Sequence, residues 1–174
     1  SVIYVDGYID SLKRGYIIDK TPSSWEYLLT VLTSALEFIE KKNKIIMNKL
    51  ILDAASKNIF LMIISNDDIY SVSHKNSKTN YEKMIILVND FLNKKNLKID
   101  DISTIYVNRG PGSFAGIRNS LSMIKAFRVA KKIDYFCYSF DDFINEINIK
   151  YENIPNLCDK FNIKKNLIKP IYIS

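Results

Sequence analysis

Residues Tyr106–Lys132 read YVNRGPGSFAGIRNSLSMIKAFRVAKK, and the rest of the chain is best read outward from them. Three of the chain's five glycines, Gly110, Gly112 and Gly116, fall within seven residues of this stretch. The segment STIYVN before them has the length and β-branched content of a strand, and the segment after them has helical periodicity. A glycine loop between strand and helix lets backbone approach a neighbour closely and leaves free N–H groups where an anion is favoured. The loop is neither GxxxxGK followed by Ser or Thr, nor GxGxxG. Pro111 restricts one backbone angle between two permissive residues, which predicts a rigid loop. Close packing and anion binding are both open at this point.

Outward from the loop, strands and helices alternate. KLILDAA, NIFLMIIS and DIYSVSH are predicted as three strands, with Asn66–Asp67–Asp68 as a turn. Thr79–Asn93 is predicted as one helix with Tyr81, Met84, Ile85, Val88, Phe91 and Leu92 on one side and Ile86 and Leu87 pointing elsewhere. IDYFCYSF reads as a fifth strand, residues 141–150 as a further helix, and LIKPIYIS as a short last strand with Pro170 at an edge or start. The helix after the glycine loop has two apolar faces. Phe114, Ile117, Leu121 and Ile124 form one; Gly116, Met123, Ala126, Phe127 and Ala130 form the other. One sheet covers one face, so the second calls for another helix or another chain. Arg118, Lys125 and Arg128 lie at the margin of the first face, where they could form rim ion pairs.

The first 46 residues read as a separate piece. SVIYVDGYIDSLKRGYIID is predicted as a hairpin, and Thr21–Pro22 opens a helix in which Trp25, Leu28, Leu29, Leu32, Ala35, Leu36 and Ile39 share a face. That face is either ordinary core or a partner-binding stripe. The basic run Lys41–Lys42–Asn43–Lys44 closes the helix, so the expected organisation is 1–46, 47–150 and a short C-terminal segment 151–174.

Composition narrows the function classes. At 174 residues and 47% hydrophobic content the chain can build a core, and a formal net charge of +6 is spread over scattered lysines without a block that marks a nucleic-acid surface. Cys137 and Cys158 have no spacing for a metal cluster or disulfide framework, and suit a reducing cytoplasm. His74 is the one histidine and is expected on the surface, so multi-histidine metal sites are excluded; no metal-ligating set and no catalytic residue is identified. No apolar run has membrane-spanning length, and the opening residues lack the pattern of a secretion signal. A cytoplasmic protein with no membrane partner is expected. Ser1 in place of Met points to a processed or truncated start.

The loop motif resembles the TsaB (YeaZ) family, the non-catalytic subunit of bacterial tRNA threonylcarbamoyladenosine synthesis, whose pattern is GRGPGSFTGLR. Arg109, Gly110, Pro111, Gly112, Ser113, Phe114, Gly116, Ile117 and Arg118 match it. KLILDAASKNIFLMII is similar to the family's opening ILAIDTATEACSVAL, placing Asp53 on its first-strand aspartate; KTNYEKMIILVNDFL resembles REHSERLLPLIDELL, and IKPIYIS resembles PVYLR. The resemblance covers Met47 to about Asp142 and the last few residues. It departs at Ala115 for threonine, at Ala54 and Ala55 after the aspartate, and at Asn80 for histidine. Each change removes chemistry rather than packing, which argues against independent nucleotide hydrolysis.

The resemblance implies an α/β fold: an actin-like, Hsp70-like lobe with a ribonuclease H-like mixed sheet and a reduced second lobe. YIDSLKRGYIID loosely resembles the family's second-lobe hairpin IDARKGEVYV, so residues 1–44 either supply that lobe from the front or are an unrelated extension. It also implies a scaffold role. Tyr81, Met84, Ile86, Leu87, Met123, Ala126, Phe127 and Ala130 would pair with the helices of a TsaD-type catalytic subunit, or with a second copy of this chain when it is alone. A TsaE-type ATPase would bind the pair, and tRNA would be engaged indirectly. No cofactor is expected on this chain alone, although Asp53, Gly112 and Ser113 would face ATP or ADP near the partner interface. The competing reading is a small actin-like phosphotransferase or ATPase using Asp53 for metal-bound water and the glycine loop for phosphate.

Overall fold

The computed structural model describes residues 22–43, 47–66 and 68–172, with side chains of the first segment described from Glu26 to Glu37. The chain divides into two compact units, Ser1–Ile45 and Ile46–Ser174. The hairpin expected in residues 1–20, and the second-lobe role considered for it, lie outside the described residues.

Within the first unit, helix α1 spans Pro22–Asn43. Among the described residues its expected apolar stripe is only partly buried, with Leu28 and Ala35 half-buried. Leu29, Leu32 and Leu36 are 63%, 51% and 59% exposed, whereas Val31 on another side of the helix is buried.

The second unit is built on five strands: β1 (Asn48–Asp53), β2 (Asn58–Ser65), β3 (Asp68–Lys75), β4 (Ile102–Asn108) and β5 (Asp134–Tyr138). Their order is β3-β2-β1-β4-β5. β1 pairs antiparallel with β2 and parallel with β4; β2–β3 is antiparallel and β4–β5 parallel. This is the mixed sheet that the motif's resemblance implies. Period-two alternation sends Leu50, Leu52, Ile59, Leu61, Ile63, Ile105 and Val107 to one face and Ile51, Met62, Tyr106 and Tyr138 to the other. Both faces are covered, so the central strands read as continuous apolar runs rather than alternating ones.

The first face packs against α2 (Lys78–Glu82), α3 (Met84–Asn93) and α4 (Phe114–Lys131), through Tyr81, Met84, Val88, Phe91, Ile117, Leu121, Ile124 and Phe127. The helix expected over 79–93 is two helices, parted at Lys83, whose ψ of 15° departs from helical values. Ser77 caps α2 by accepting from the Asn80 N–H.

The opposite face is covered by the chain after β5. Phe143, Ile154, Leu157 and Cys158 bury against Ile51, Met62, Tyr106 and Tyr138, so the stretch from 151 is part of this unit's core and not a separate segment. No helix forms over 141–150. Ser139 and Asp142 cap a short 3-10 turn at Phe140–Asp142, and Asn145 and Asn148 take left-handed φ values of 69° and 57°, which end helical propagation. The helix comes later, α5 at Ile154–Lys160, with Pro155 in its first turn. The final strand expected at LIKPIYIS is likewise absent up to Tyr172. One bridge, Phe136 to Lys165, forms; then Asn166 turns at φ 59° and occupies β5 with its side chain, accepting from the Tyr135 N–H at 2.9 Å.

Candidate functional site

The glycine loop closes onto the turn after β1. Ser113 N–H donates to the Ala55 carbonyl at 2.9 Å, and a Cβ on Gly112 would run into that same carbonyl. Gly116, one turn into α4, lies so close to the Ala54 carbonyl that a Cβ there would overlap it. Two of the clustered glycines are thus required by backbone approach. Four N–H groups of the loop and first helical turn are engaged inside the protein: Gly110 donates to Asn108 Oδ1 at 2.9 Å, Ser113 to Ala55, and Gly116 and Ile117 to Ser113. They do not form an open phosphate cradle in this arrangement.

Ser113 is the N-cap of α4. Its Oγ accepts from the Gly116 N–H and shares a 2.6 Å hydrogen bond with the Tyr81 hydroxyl. Among the described residues no imidazole or carboxylate bonds Ser113 Oγ, in keeping with a capping role. Tyr81 therefore ties α2 to the loop.

Asp53 is the centre of a buried polar network. It is fully buried, and Oδ1 accepts from the N–H groups of Ala55 and Ser56, both at 3.0 Å. Oδ2 accepts from Ser56 Oγ at 2.7 Å, Asn108 Nδ2 at 3.0 Å and the Tyr151 hydroxyl at 2.6 Å. Five donors suffice to hold a charged carboxylate away from water. Tyr151 is fixed from its other side by stacking on Phe60 at 4.1 Å between ring centroids. Burial first, then the adjacent Asp53 charge, raise the Tyr151 phenol well above its usual pKa, which keeps it the donor. Tyr138, fully buried beside this cluster and with an unpaired hydroxyl, is raised for the same two reasons.

Asp53 consequently faces Ser56, Asn108 and Tyr151, not a nucleotide-facing surface as expected from sequence. The fit to a nucleotide with a metal ion fails here, because both oxygens of Asp53 are already taken. Among the described residues no group of three His, Cys, Asp or Glu side chains could hold a metal ion. The Ala55 N–H, two residues after Asp53, has Asx-turn spacing, and Ser56 follows it directly, so these local donors are discoverable from sequence. Tyr151, 98 residues away, carried no local signal.

Arg109 anchors the other side of the loop. Its guanidinium forms a two-pronged pair with Asp142, with Nη2 to Oδ1 at 2.5 Å and Nε to Oδ2 at 3.4 Å, and Nη1 donates to the Lys169 carbonyl at 3.0 Å. The Arg109 carbonyl in turn accepts from the Ile171 N–H. Pro111 follows a cis peptide bond, and Arg118 is exposed.

The expected partner-facing set separates. Tyr81, Met84 and Phe127 are buried in the core, because α4 turns Phe127 and Gly116 toward the sheet and α2. Ile86, Ala126 and Ala130 are exposed, and Leu87 and Met123 are half-buried. Ile85 and Phe114, both expected in the core, are exposed at 47% and 59%. Phe114 instead contacts the Tyr172 ring. The outward face of α4 thus runs through Ala115, Ser122, Ala126, Val129 and Ala130, with Val129 73% exposed. Arg128 is held within the chain by Asp134 at 2.6 Å. His74 is half-buried.

Residues 72–154 match the family model described as "TsaD: tRNA N6-adenosine threonylcarbamoyltransferase". Among solved structures, YeaZ from Pseudomonas aeruginosa is similar at TM-score 0.50 and 18% identity, over 53% of this chain and 44% of that one. A second, described as an uncharacterized protein with similarity to peptidase YEAZ from Pseudomonas aeruginosa, gives the same TM-score and identity over 43% of its length. The match therefore spans less than half of those chains. Together with the sheet order, these similarities show that the second unit has a mixed α/β fold like that of YeaZ.

Proposed function

We propose that this chain is a non-catalytic, TsaB-type subunit that supports a TsaD-type threonylcarbamoyltransferase in modifying the tRNA adenosine next to the anticodon. The observation that carries this reading is the unpartnered outward side of α4. Ala126, Val129 and Ala130 leave a shallow apolar surface where another helix can approach closely, while the sheet-facing side of the same helix is already packed. Ile85 and Ile86 on α3 add half-exposed apolar side chains. Small residues allow backbones to approach, and large apolar ones at the margin supply buried area.

In this role the chain binds no nucleotide by itself. The glycine loop shapes the lobe, Asp53 and Tyr151 fasten the C-terminal segment to the sheet, and the partner carries the transfer chemistry. A TsaE-type ATPase would dock on the pair, ATP or ADP would lie near their junction, tRNA would be reached through the partner, and a homodimer would form when the partner is missing. Reconstitution tests the proposal: threonylcarbamoyl transfer to tRNA by the TsaD-type enzyme should depend on added chain, and the chain alone should neither bind nor hydrolyse ATP. Transfer indifferent to the chain, or ATP turnover by the chain alone, would overturn it.

A further inference from the structure

A pocket of about 190 Å³ lies at the carboxyl ends of β4 and β5, between Arg109 and the segment that follows α5. Its wall includes Arg109, Asp142, Asn162, Lys164 and Lys169, over a floor containing Cys137. Open α/β sheets take ligands at this end of their strands. The charge balance is one-sided. Every nitrogen of the Arg109 guanidinium is engaged, by Asp142 and by the Lys169 carbonyl, so the Arg109 and Asp142 charges offset each other. The uncompensated charge is that of Lys164 and Lys169. Neighbouring lysines find carboxylates, Lys165 with Asp134 at 3.1 Å and Lys160 with Glu146 at 2.5 Å. Among the described residues, Lys164 and Lys169 form no ion pair. Asn162, held at a left-handed φ of 52°, adds an amide donor at the same rim.

We propose that this pocket binds a small oxyanion, a phosphate or carboxylate group, through the Lys164 and Lys169 ammonium groups and the Asn162 amide. A volume of about 190 Å³ has room for one such group with part of its hydration. Two lysines lining one pocket with no carboxylate paired to either attract an anion there. Because the Lys169 carbonyl and Ile171 N–H are bonded to Arg109, the anion would also fasten residues 162–171 to the glycine loop. This site is independent of the partner surface on α4.

The test is titration of the full chain with inorganic phosphate, acetate and ADP in turn, at constant ionic strength, following Tm and calorimetric binding. Saturable binding of phosphate or acetate, with a rise in Tm that levels off, is expected; the arm with the higher affinity identifies the group, and ADP should bind no more tightly than phosphate. A Lys164→Gln/Lys169→Gln variant should lose the saturable response while keeping its Tm in the absence of anion, and Lys94→Gln, at an exposed lysine at the end of α3, should retain it. No saturable response to either anion, or a response that survives in the double variant, would overturn the proposal.

Discussion

At Gly116 one hydrogen in place of a methyl group decides whether α4 can lie on the turn after β1. A Cβ would overlap the Ala54 carbonyl, which is backbone and cannot rotate away. Gly116→Ala is therefore expected to destabilise the chain by about 1–3 kcal/mol, the cost of overpacking a tight contact, measured by urea denaturation. Asp53 poses the complementary case, since its stability depends on donors already present. Tyr151→Phe removes one 2.6 Å hydrogen bond to a buried carboxylate while keeping the ring that stacks on Phe60, and should cost roughly 1.5–3 kcal/mol in the same assay. A loss near zero would mean that the C-terminal segment is held by packing alone. Two sites of this kind differ in how legible they are in sequence. The glycines announce a close approach, but which carbonyls they meet depends on a turn more than fifty residues away. Asp53 is legible as a strand-end carboxylate with local donors at Ala55 and Ser56; its distant donors are not, because Asn108 and Tyr151 are brought in by tertiary pairing.

Among the elements, β1, β2 and β4 follow from hydrophobic patterning because each buries a nearly continuous run against both layers, and α4 follows from its helical period; β3 is largely exposed and is legible from its β-branched content and the turn before it. Periodicity misled where polar side chains take over backbone duties. The expected helix over 141–150 gives way to asparagines in left-handed conformations, and the last strand gives way to Asn166, whose backbone N–H and side-chain oxygen both bond Tyr135 of β5. The same asparagine gives the β5 edge a pH dependence. The Asn166 amide above all, with Lys165 and Arg128 beside it, holds the Asp134 carboxyl below its usual range, outweighing the opposing effect of burial. A lowered folded-state pKa means that this cluster's stabilisation is present in full above the ordinary carboxylate pKa, about 4, and is lost as pH falls through the lower folded value. Acid unfolding followed by circular dichroism should show that contribution below about pH 4. Asp134→Asn should flatten this part of the curve, and an unchanged acid limb would contradict the assignment.

For the molecule as a whole, the two faces of the sheet each hold one cysteine. Cys137 lies with the helical layer and Cys158 with the C-terminal layer. Burial pushes each thiol up to about 12, so both are neutral and shielded at ordinary pH. Iodoacetamide at pH 8 should leave the native chain unmodified and label both after denaturation, as read by mass spectrometry. Labelling of Cys158 alone in the native chain would mean that the C-terminal layer opens independently of the sheet. With the helical and C-terminal layers closed in this way, the outward side of α4 remains as the apolar surface on which the proposed function depends. The most direct measurement is co-expression of the chain with the TsaD-type subunit of its own organism, followed by size-exclusion chromatography with light scattering. The account predicts a one-to-one heterodimer that Ala126→Glu abolishes without altering the chain's own Tm, because Ala126 is exposed and a buried unpaired glutamate at the joint is costly. Two separate peaks for the unaltered pair, or a heterodimer that tolerates the glutamate, would contradict it.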